Sequence, residues 1–229
     1  MNDTDTSARL ARSLGFFGRI TANLSHEMNN VITIIGEVSG LLDDLLLLAE
    51  KGRPLETQKL KSLSENIKRQ TRRGKALITE MNFLGHSIDD PSRQIDLNLV
   101  AGHIESLARR IAERKGGVLE VRRFERPVMA VCSPFDLLQS VFWCVDMALE
   151  AGAVSEPVCI AASAGGHGPC ISIRSTEFEH GDRDRETLSD IGMLLAETGG
   201  TVSTTVDDGG GRVILLQFPP VTKDAAQAS

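Results

Sequence analysis

The sequence predicts an α+β fold, in which a long antiparallel helical hairpin precedes an α/β sandwich. Two observations lead to this prediction. Apolar residues recur at alternating steps of three and four through residues 1–90, which is the seam of helices packed on helices. From about Gln94, short β-branched runs alternate with amphipathic segments, which is typical of a sheet covered by helices. We therefore expect a hairpin domain at 1–90, an α/β domain at 94–219 and a disordered tail at 220–229.

The first helix is predicted from about Ser7 to Lys51, because a glycine followed by proline stops it at Gly52-Arg53-Pro54. The run 31–35 is rich in β-branched residues and could form a strand in isolation. The heptad spacing continues through this run, so we assign it to the helix. The predicted seam is Phe17, Thr21, Leu24, Met28, Val31, Ile35, Val38, Leu42, Leu45 and Ala49.

The second helix is predicted from about Leu55 to Ile88, and it ends at Asp89-Asp90-Pro91. Its predicted seam is Leu60, Leu63, Ile67, Gln70, Gly74, Leu77, Met81, Leu84 and Ile88. Two helices cannot close a core alone, and both carry further apolar residues beside the seam. The flanking apolar residues are Ile20, Ile34, Leu41, Leu48 and Ile78. We therefore expect two hairpins to pair in a homodimeric four-helix bundle.

The second domain is predicted to place three helices on one face of a mixed sheet. The predicted strands lie at 94–99, 118–124, 128–131, 157–164, 170–174, 201–206 and 212–218. The predicted helices lie at 100–115, 134–151 and 185–197. Glycine turns at Gly165-Gly166 and Gly209-Gly210-Gly211 divide the last four strands into two hairpins.

The composition excludes several classes of protein. A net charge of -6, with no basic cluster, argues against a nucleic-acid partner. No run approaches the roughly 18 apolar residues of a membrane span, and the polar N-terminus does not look like a signal peptide. The cysteines have no metal-ligand spacing and sit mostly in apolar runs, so we expect core thiols of a cytoplasmic protein. They are Cys132, Cys144, Cys159 and Cys170.

One histidine on the first helix is predicted to face solvent. At about 100° per residue, His26 lies roughly 200° around the helix from the seam residue Leu24. Glu27 is adjacent, and Asn30 lies one turn further on. A neutral, exposed imidazole is a nucleophile that can carry a phosphoryl group. The alternative is a surface histidine of a coiled coil with no chemistry.

The segment Ser25-His26-Glu27-Met28-Asn29-Asn30, set in a heptad-bearing hairpin, resembles the phospho-acceptor box of bacterial sensor histidine kinases. The second domain resembles their ATP-binding domain. The resemblance assigns His26 as phospho-acceptor and Glu27 as the acid that hydrogen-bonds the other ring nitrogen. Asn30 would orient a water that dephosphorylates a partner aspartate. Response-regulator receiver domains are the partners that the resemblance implies.

The second domain departs from this family where the ATP chemistry lies. The positions of two family asparagines, one of which holds Mg²⁺, read Trp143 and Met147 here, and a thioether is a poor Mg²⁺ ligand. The family's Asp-x-Gly-x-Gly after the fifth strand is missing from 175–178, and the glycine-rich lid is reduced to a short loop at 179–185. Of the lid's Gly-x-Gly run, only Gly192 is left. We therefore expect no bound ATP and no metal site.

The expected function is an ATP-free histidine phosphotransfer protein of a phosphorelay. It would move a phosphoryl group between receiver domains through His26, with Mg²⁺ supplied by the receiver. Two alternatives remain open: an active ATP-dependent sensor histidine kinase with a divergent nucleotide site, and a non-enzymatic dimeric scaffold that binds a receiver or a kinase. A phosphatase role through Glu27 and Asn30 lies between these readings.

Overall fold

The computed structural model describes residues 3–150, 156–176 and 182–221. Of the predicted disordered tail, 222–229 lie outside the described residues. The fold class is α+β, as predicted, with long N-terminal helices followed by an α/β sheet domain. The chain divides into two compact units, a helical unit (Leu10–Phe83) and an α/β unit (Leu84–Ser229 with Met1–Arg9). No helix within the described ranges combines the length and apolarity needed to cross a membrane.

The helical unit is built from α1 (Asp3–Glu50) and α2 (Thr57–His86). The β-branched run at 31–35 is helical, as the heptad spacing predicts. Gly52 ends α1 with φ +85°, a left-handed conformation that glycine adopts without strain. Its N–H donates to Ala49 O at 2.9 Å and the N–H of Arg53 to Leu48 O at 3.1 Å, which is the Schellman pattern.

The predicted seam is buried along the middle of both helices. Leu24, Val31 and Val38 are buried on α1, and Gln70, Gly74, Leu77 and Leu84 are buried on α2.

The seam deviates from prediction at its two ends. Phe16 and Ile20 are buried instead of Phe17 and Thr21, so Ile20 belongs to the seam and not to its flank. On the other helix, Ile88 is 57% exposed and lies beyond the end of α2. The chain turns there because the Ser87 hydroxyl donates to Leu84 O at 2.6 Å, so Ser87 takes the buried position instead of Ile88.

The α/β unit contains a five-stranded sheet in the order β2-β4-β5-β7-β6. β2 and β4 are parallel, whereas the other neighbouring pairs are antiparallel. The strands are β1 (Arg93–Asp96), β2 (Leu119–Arg122), β3 (Met129–Cys132), β4 (Val158–Gly165), β5 (Gly168–Ser175), β6 (Thr201–Val206) and β7 (Arg212–Gln217). The helices are α3 (Leu97–Arg114), α4 (Pro134–Glu150) and α5 (Asp182–Ala196).

Three helices pack against this sheet, as predicted. Ile160, Ile173 and Ile214 lie side by side on neighbouring strands and are buried. The next row of the same face is also buried and consists of Ala162, Ile171 and Leu216. Since side chains alternate between faces along a strand, these rows define the apolar face that the helices cover.

The prediction of one mixed sheet is wrong for two strands, because β1 and β3 form a separate antiparallel pair. Asp96 explains this pairing. Its Oδ1 accepts from Asn98 N at 3.0 Å, which caps α3, and from Val128 N at 2.9 Å, immediately before β3. The predicted strand at 94–99 therefore stops at Asp96, and the chain enters α3 at Leu97.

Candidate functional site

His26 is exposed on α1, on the side of the helix away from the buried residues Leu24 and Val31. This orientation agrees with the heptad prediction. Within the described part of the chain, the imidazole has no hydrogen-bond partner, so both ring nitrogens are available to a reactant. Its phospho-acceptor role stays a prediction.

Glu27 lies beside the seam and faces α2. Its side chain is 18% exposed, and its Oε2 accepts a hydrogen bond from Arg73 Nη2 at 3.0 Å. Arg73 itself is 44% exposed. The structure therefore pairs Glu27 with a cation on α2, and it contains no hydrogen bond between Glu27 and His26 among the described residues. The predicted role of Glu27 toward the ring stays a prediction.

Gly74 lies where α2 packs against α1 at this level. A Cβ atom placed on Gly74 would lie 3.4 Å from Val31 Cγ1 and 3.9 Å from Met28 Sδ, which are ordinary packing distances. Arg73, which precedes Gly74, therefore lies next to a position that faces α1.

Asn30 is exposed one turn after His26. An exposed carboxamide can orient a water molecule through its oxygen or its NH₂ group. The structure therefore keeps Asn30 accessible on the same helix as the imidazole, and its predicted role is not tested by this arrangement.

The α4 positions expected to hold a nucleotide are apolar. Met147 is 8% exposed, whereas Trp143 is half-buried. The nearest carboxylates on α4 already have a cation partner, because Lys115 Nζ lies 2.8 Å from Asp146 Oδ1 and 3.4 Å from Glu150 Oε1.

The loops that would complete a nucleotide site are only partly described, because 151–155 and 177–181 lie outside the described residues. The predicted loop at 179–185 is therefore only partly tested, and α5 already begins at Asp182 instead of 185. Gly192 lies within α5, where an added Cβ would be 3.6 Å from Val202 Cγ1. It lies on the side of α5 that faces β6.

The glycine run 209–211 forms a turn, as the sequence predicts. Asp207 Oδ1 accepts from Gly209 N at 2.9 Å and from Gly211 N at 2.8 Å, and its other oxygen pairs with Arg174. Burial on its own raises the pKa of Asp207, but the hydrogen bonds from Arg174 and the two glycines outweigh it and lower this pKa. The loop is occupied by its own carboxylate and is not arranged to bind phosphate.

A pocket of about 330 Å³ lies at the opposite end of α4 from Met147. Prolines and valines line it together with the polar residues Ser133, Asp136, Glu197 and Thr198. Burial raises the pKa of the Asp136 carboxyl, although the Ser133 hydrogen bond opposes this effect. This pocket is remote along α4 from the position that corresponds to the family's Mg²⁺ ligand.

No cluster of metal-ligating side chains occurs among residues 3–150, 156–176 and 182–221. His86 pairs with Asp89 at 2.8 Å on the surface, and the predicted loop residue His180 lies outside the described residues. The cysteines are free thiols; three are buried and Cys170 is half-buried. Burial raises the pKa of Cys132 to about 12, so this thiol is unreactive at neutral pH.

Arg73 is the residue of this site that the sequence analysis missed. The pair Arg72-Arg73 looks like a solvated helix face, yet the two residues differ in position. Arg73 precedes the seam residue Gly74 and follows Gln70 by three positions, so it flanks the seam, whereas Arg72 lies on the opposite side of α2. The heptad register of α2 was the signal that could have identified it.

Comparison with known proteins finds neither a matching family model nor a matching curated protein. Solved structures do match. The chain is similar to the histidine kinase AdeS of Acinetobacter baumannii, with 15% identity and a TM-score of 0.48 over 86% of this chain and 98% of that one. It is also similar to the ATP-binding domain of PrrB from Mycobacterium tuberculosis, with 19% identity and a TM-score of 0.48 over 58% and 100% of the two chains.

A third match is the histidine kinase domain of the E. coli osmosensor EnvZ, with 14% identity and a TM-score of 0.46 over 58% of this chain and 92% of that chain. At such identities the likeness concerns the fold.

These matches correct the leading functional expectation. They are histidine kinases or kinase domains, and this chain covers 92% or more of each. They favour the sensor-kinase alternative over an ATP-free phosphotransfer protein. The prediction of ATP-free phosphotransfer is therefore wrong.

Proposed function

We propose that this chain is a histidine kinase-type phosphotransferase with a divergent nucleotide site, in which His26 accepts a phosphoryl group from ATP. The observation that carries the proposal is the imidazole of His26, which is exposed on a long helix, next to Glu27, with no internal hydrogen bond among the described residues. A nucleophile that must meet a second reactant needs this accessibility.

The step at His26 is an in-line displacement. One ring nitrogen forms a bond to the γ-phosphorus, and the bond from that phosphorus to the bridging oxygen breaks, so that its electron pair leaves with ADP. The imidazole becomes cationic as the bond forms, and Glu27 stabilises the N–H of the other ring nitrogen. A receiver-domain aspartate is the acceptor that we propose for the second transfer.

The residues of α4 do not fit the Mg²⁺ site of the family that the chain resembles. Met147 offers only a buried thioether where an oxygen ligand is needed, and Asp146 and Glu150 are bound to Lys115. We therefore assign no step to a metal ion at this position. A divergent site must hold the nucleotide through other groups.

Radiolabelled ATP tests the proposal directly. After incubation of the full chain with γ-labelled ATP and Mg²⁺, we expect acid-labile label on the wild type and none on His26→Gln. His86→Gln is the matched control, because His86 is also exposed and on a helix of the same hairpin. A wild type that takes no label from ATP, or label that persists in His26→Gln, contradicts the proposal.

A non-enzymatic scaffold is the second candidate, and one observation favours it. Met147 and the half-buried Trp143 replace the polar side chains that a nucleotide would need on α4. A scaffold predicts that a receiver domain or a kinase binds stoichiometrically to both the wild type and His26→Gln, with no label transferred to either.

Assembly as a homodimer is part of the proposal. Apolar side chains beside the seam stay exposed in the single hairpin, with Leu41 at 54% and Ile78 at 51%. Pairing of two hairpins would cover them in a four-helix bundle.

A further inference from the structure

The ion pair between Glu27 and Arg73 joins the residue next to His26 to the second helix of the hairpin. Arg73 Nη2 donates to Glu27 Oε2 at 3.0 Å across 46 positions of sequence. The Glu27 side chain is mostly buried, at 18% exposure, so its carboxylate is confined on the side facing α2.

Only one oxygen of the carboxylate is used by this pair. A carboxylate has two oxygens, each of which can accept hydrogen bonds. In the described part of the chain, Glu27 Oε1 has no donor. Arg73 thus holds Oε2 of Glu27 in place and leaves Oε1 able to accept a hydrogen bond from a neighbouring group.

The adjacent arginine lacks this contact. Arg72 Nε is directed to Lys68 O on its own helix, at 3.4 Å. Arg72 and Arg73 carry the same charge, are consecutive on α2, and differ in whether they reach Glu27.

An exposed or half-exposed salt bridge contributes little to stability. The confinement of a side chain next to a nucleophile has a larger consequence for reactivity, because a displacement of about 1 Å in a reacting group can change rates by about 10²-fold. The pair is therefore better explained by the position that it gives Glu27 than by the stability that it adds.

We propose that Arg73 is a positioning residue, which holds Glu27 so that its free oxygen can accept the ring N–H of His26 during phosphorylation. This inference rests on the proposed function, since it concerns the phosphorylation of the same imidazole. Arg73 acts through Glu27 and does not itself contact the reacting atoms.

Phosphoramidate is a small phosphoryl donor that phosphorylates imidazole directly, so it tests this inference without requiring the chain to bind a nucleotide. When it phosphorylates an imidazole, the ring nitrogen bonds to phosphorus, the P–N bond breaks, and ammonia leaves with the electron pair and a proton. Mass spectrometry of the full chain measures the initial rate at His26 relative to the rate at His86 in the same molecules. The proposed function is tested separately, by labelling with ATP. If that labelling fails, the phosphoramidate rates still report whether Arg73 positions Glu27.

We expect Arg73→Gln to lower the relative rate at His26 about tenfold, a part of the 10²–10⁴-fold that a positioned acid–base group contributes. Arg72→Gln, the matched control, should change this rate less than about twofold. Arg73→Lys keeps a cationic donor and should restore part of the loss. Thermal unfolding should be nearly the same for all three variants, because both arginines lie at the surface.

Double substitution separates positioning from a general effect of charge. In a Glu27→Gln background, Arg73→Gln should produce no further loss, because the residue through which Arg73 acts has been changed. Equal effects of Arg73→Gln and Arg72→Gln, or the full tenfold loss in the Glu27→Gln background, would overturn the inference.

Discussion

The helical unit and the α/β unit differ in how completely they bury their apolar residues. In the α/β unit, α3 and α4 bury most of their apolar residues, and the sheet supplies the facing rows around Ile160 and Ile173. In the helical unit, only the middle of the seam is buried, and Leu41, Leu46 and Leu47 on α1 remain about half exposed. The α/β unit closes its core within one chain, and the hairpin does not.

This difference has a geometric cause. When helices cover one face of a sheet, the apolar layer lies between the helices and the strands, so a single chain can bury this layer. A pair of helices buries only one stripe on each, and a wider apolar surface needs further helices. The incomplete burial of the hairpin is the reason for proposing a second copy.

The largest expected effect is the loss of the proposed dimer. Leu41→Glu combined with Leu48→Glu places two charges on one side of α1, seven residues apart. Each leucine withdrawn from an interface forfeits about 1.5–3 kcal/mol of burial, and a buried charge costs more. We expect the variant to be monomeric by size-exclusion chromatography with light scattering.

Leu99→Glu is the control for that experiment, because Leu99 is 59% exposed but lies on α3 in the α/β unit. It should leave the association unchanged. A double variant that stays dimeric, or a wild type that is monomeric at micromolar concentration, would contradict the inference that the hairpin needs a second copy to bury its apolar residues.

A smaller effect is expected from glycine substitution in the α/β unit. Gly168 has φ +107°, and a Cβ there would lie 2.2 Å from Phe218 O. Gly168→Ala should therefore destabilise this unit by about 3 kcal/mol, measured by urea unfolding.

Glycines with open surroundings provide the contrast. Gly166, in the same β-turn, and Gly36, on α1, have nothing within 4 Å of an added Cβ. Gly166→Ala should be nearly neutral, whereas Gly36→Ala should stabilise α1 by up to about 1 kcal/mol through helix propensity. Destabilisation by Gly36→Ala as large as that by Gly168→Ala would show that the hairpin is packed as tightly as the sheet.

A loss of stability smaller than that of Gly168→Ala is expected at the cap that joins α3 to the β1–β3 pair. Asp96→Ala removes the acceptor for both Asn98 N and Val128 N and should cost about 1–2 kcal/mol in thermal or urea unfolding. Asp96→Asn keeps a side-chain oxygen and should recover most of this loss. If Asp96→Asn were as unstable as Asp96→Ala, the cap would not be the cause.

Much of the fold was accessible from sequence because its signals are local. The heptad spacing identified both helices of the hairpin, including the β-branched run at 31–35, and Gly52 marked the end of α1. The pairing of β1 with β3 could not be predicted, because it depends on Asp96 reaching a backbone N–H 32 residues away.

The candidate site, like the fold, could be predicted from the sequence only in part. Helical periodicity placed His26 and Asn30 at the surface, because side-chain direction follows from the helix repeat. It did not identify the partner of Glu27, since Glu27 and Arg73 lie on different helices and meet only when those helices pack against each other.

The helical hairpin, the order of helices and strands in the second domain and the outward direction of His26 could be predicted from sequence, because each depends on spacing along one segment of chain. The folded structure was needed to show which strands pair, that Ser87 instead of Ile88 is buried, and that Arg73 contacts Glu27. These contacts join residues through packing, and packing depends on the distances between elements, which no local pattern specifies.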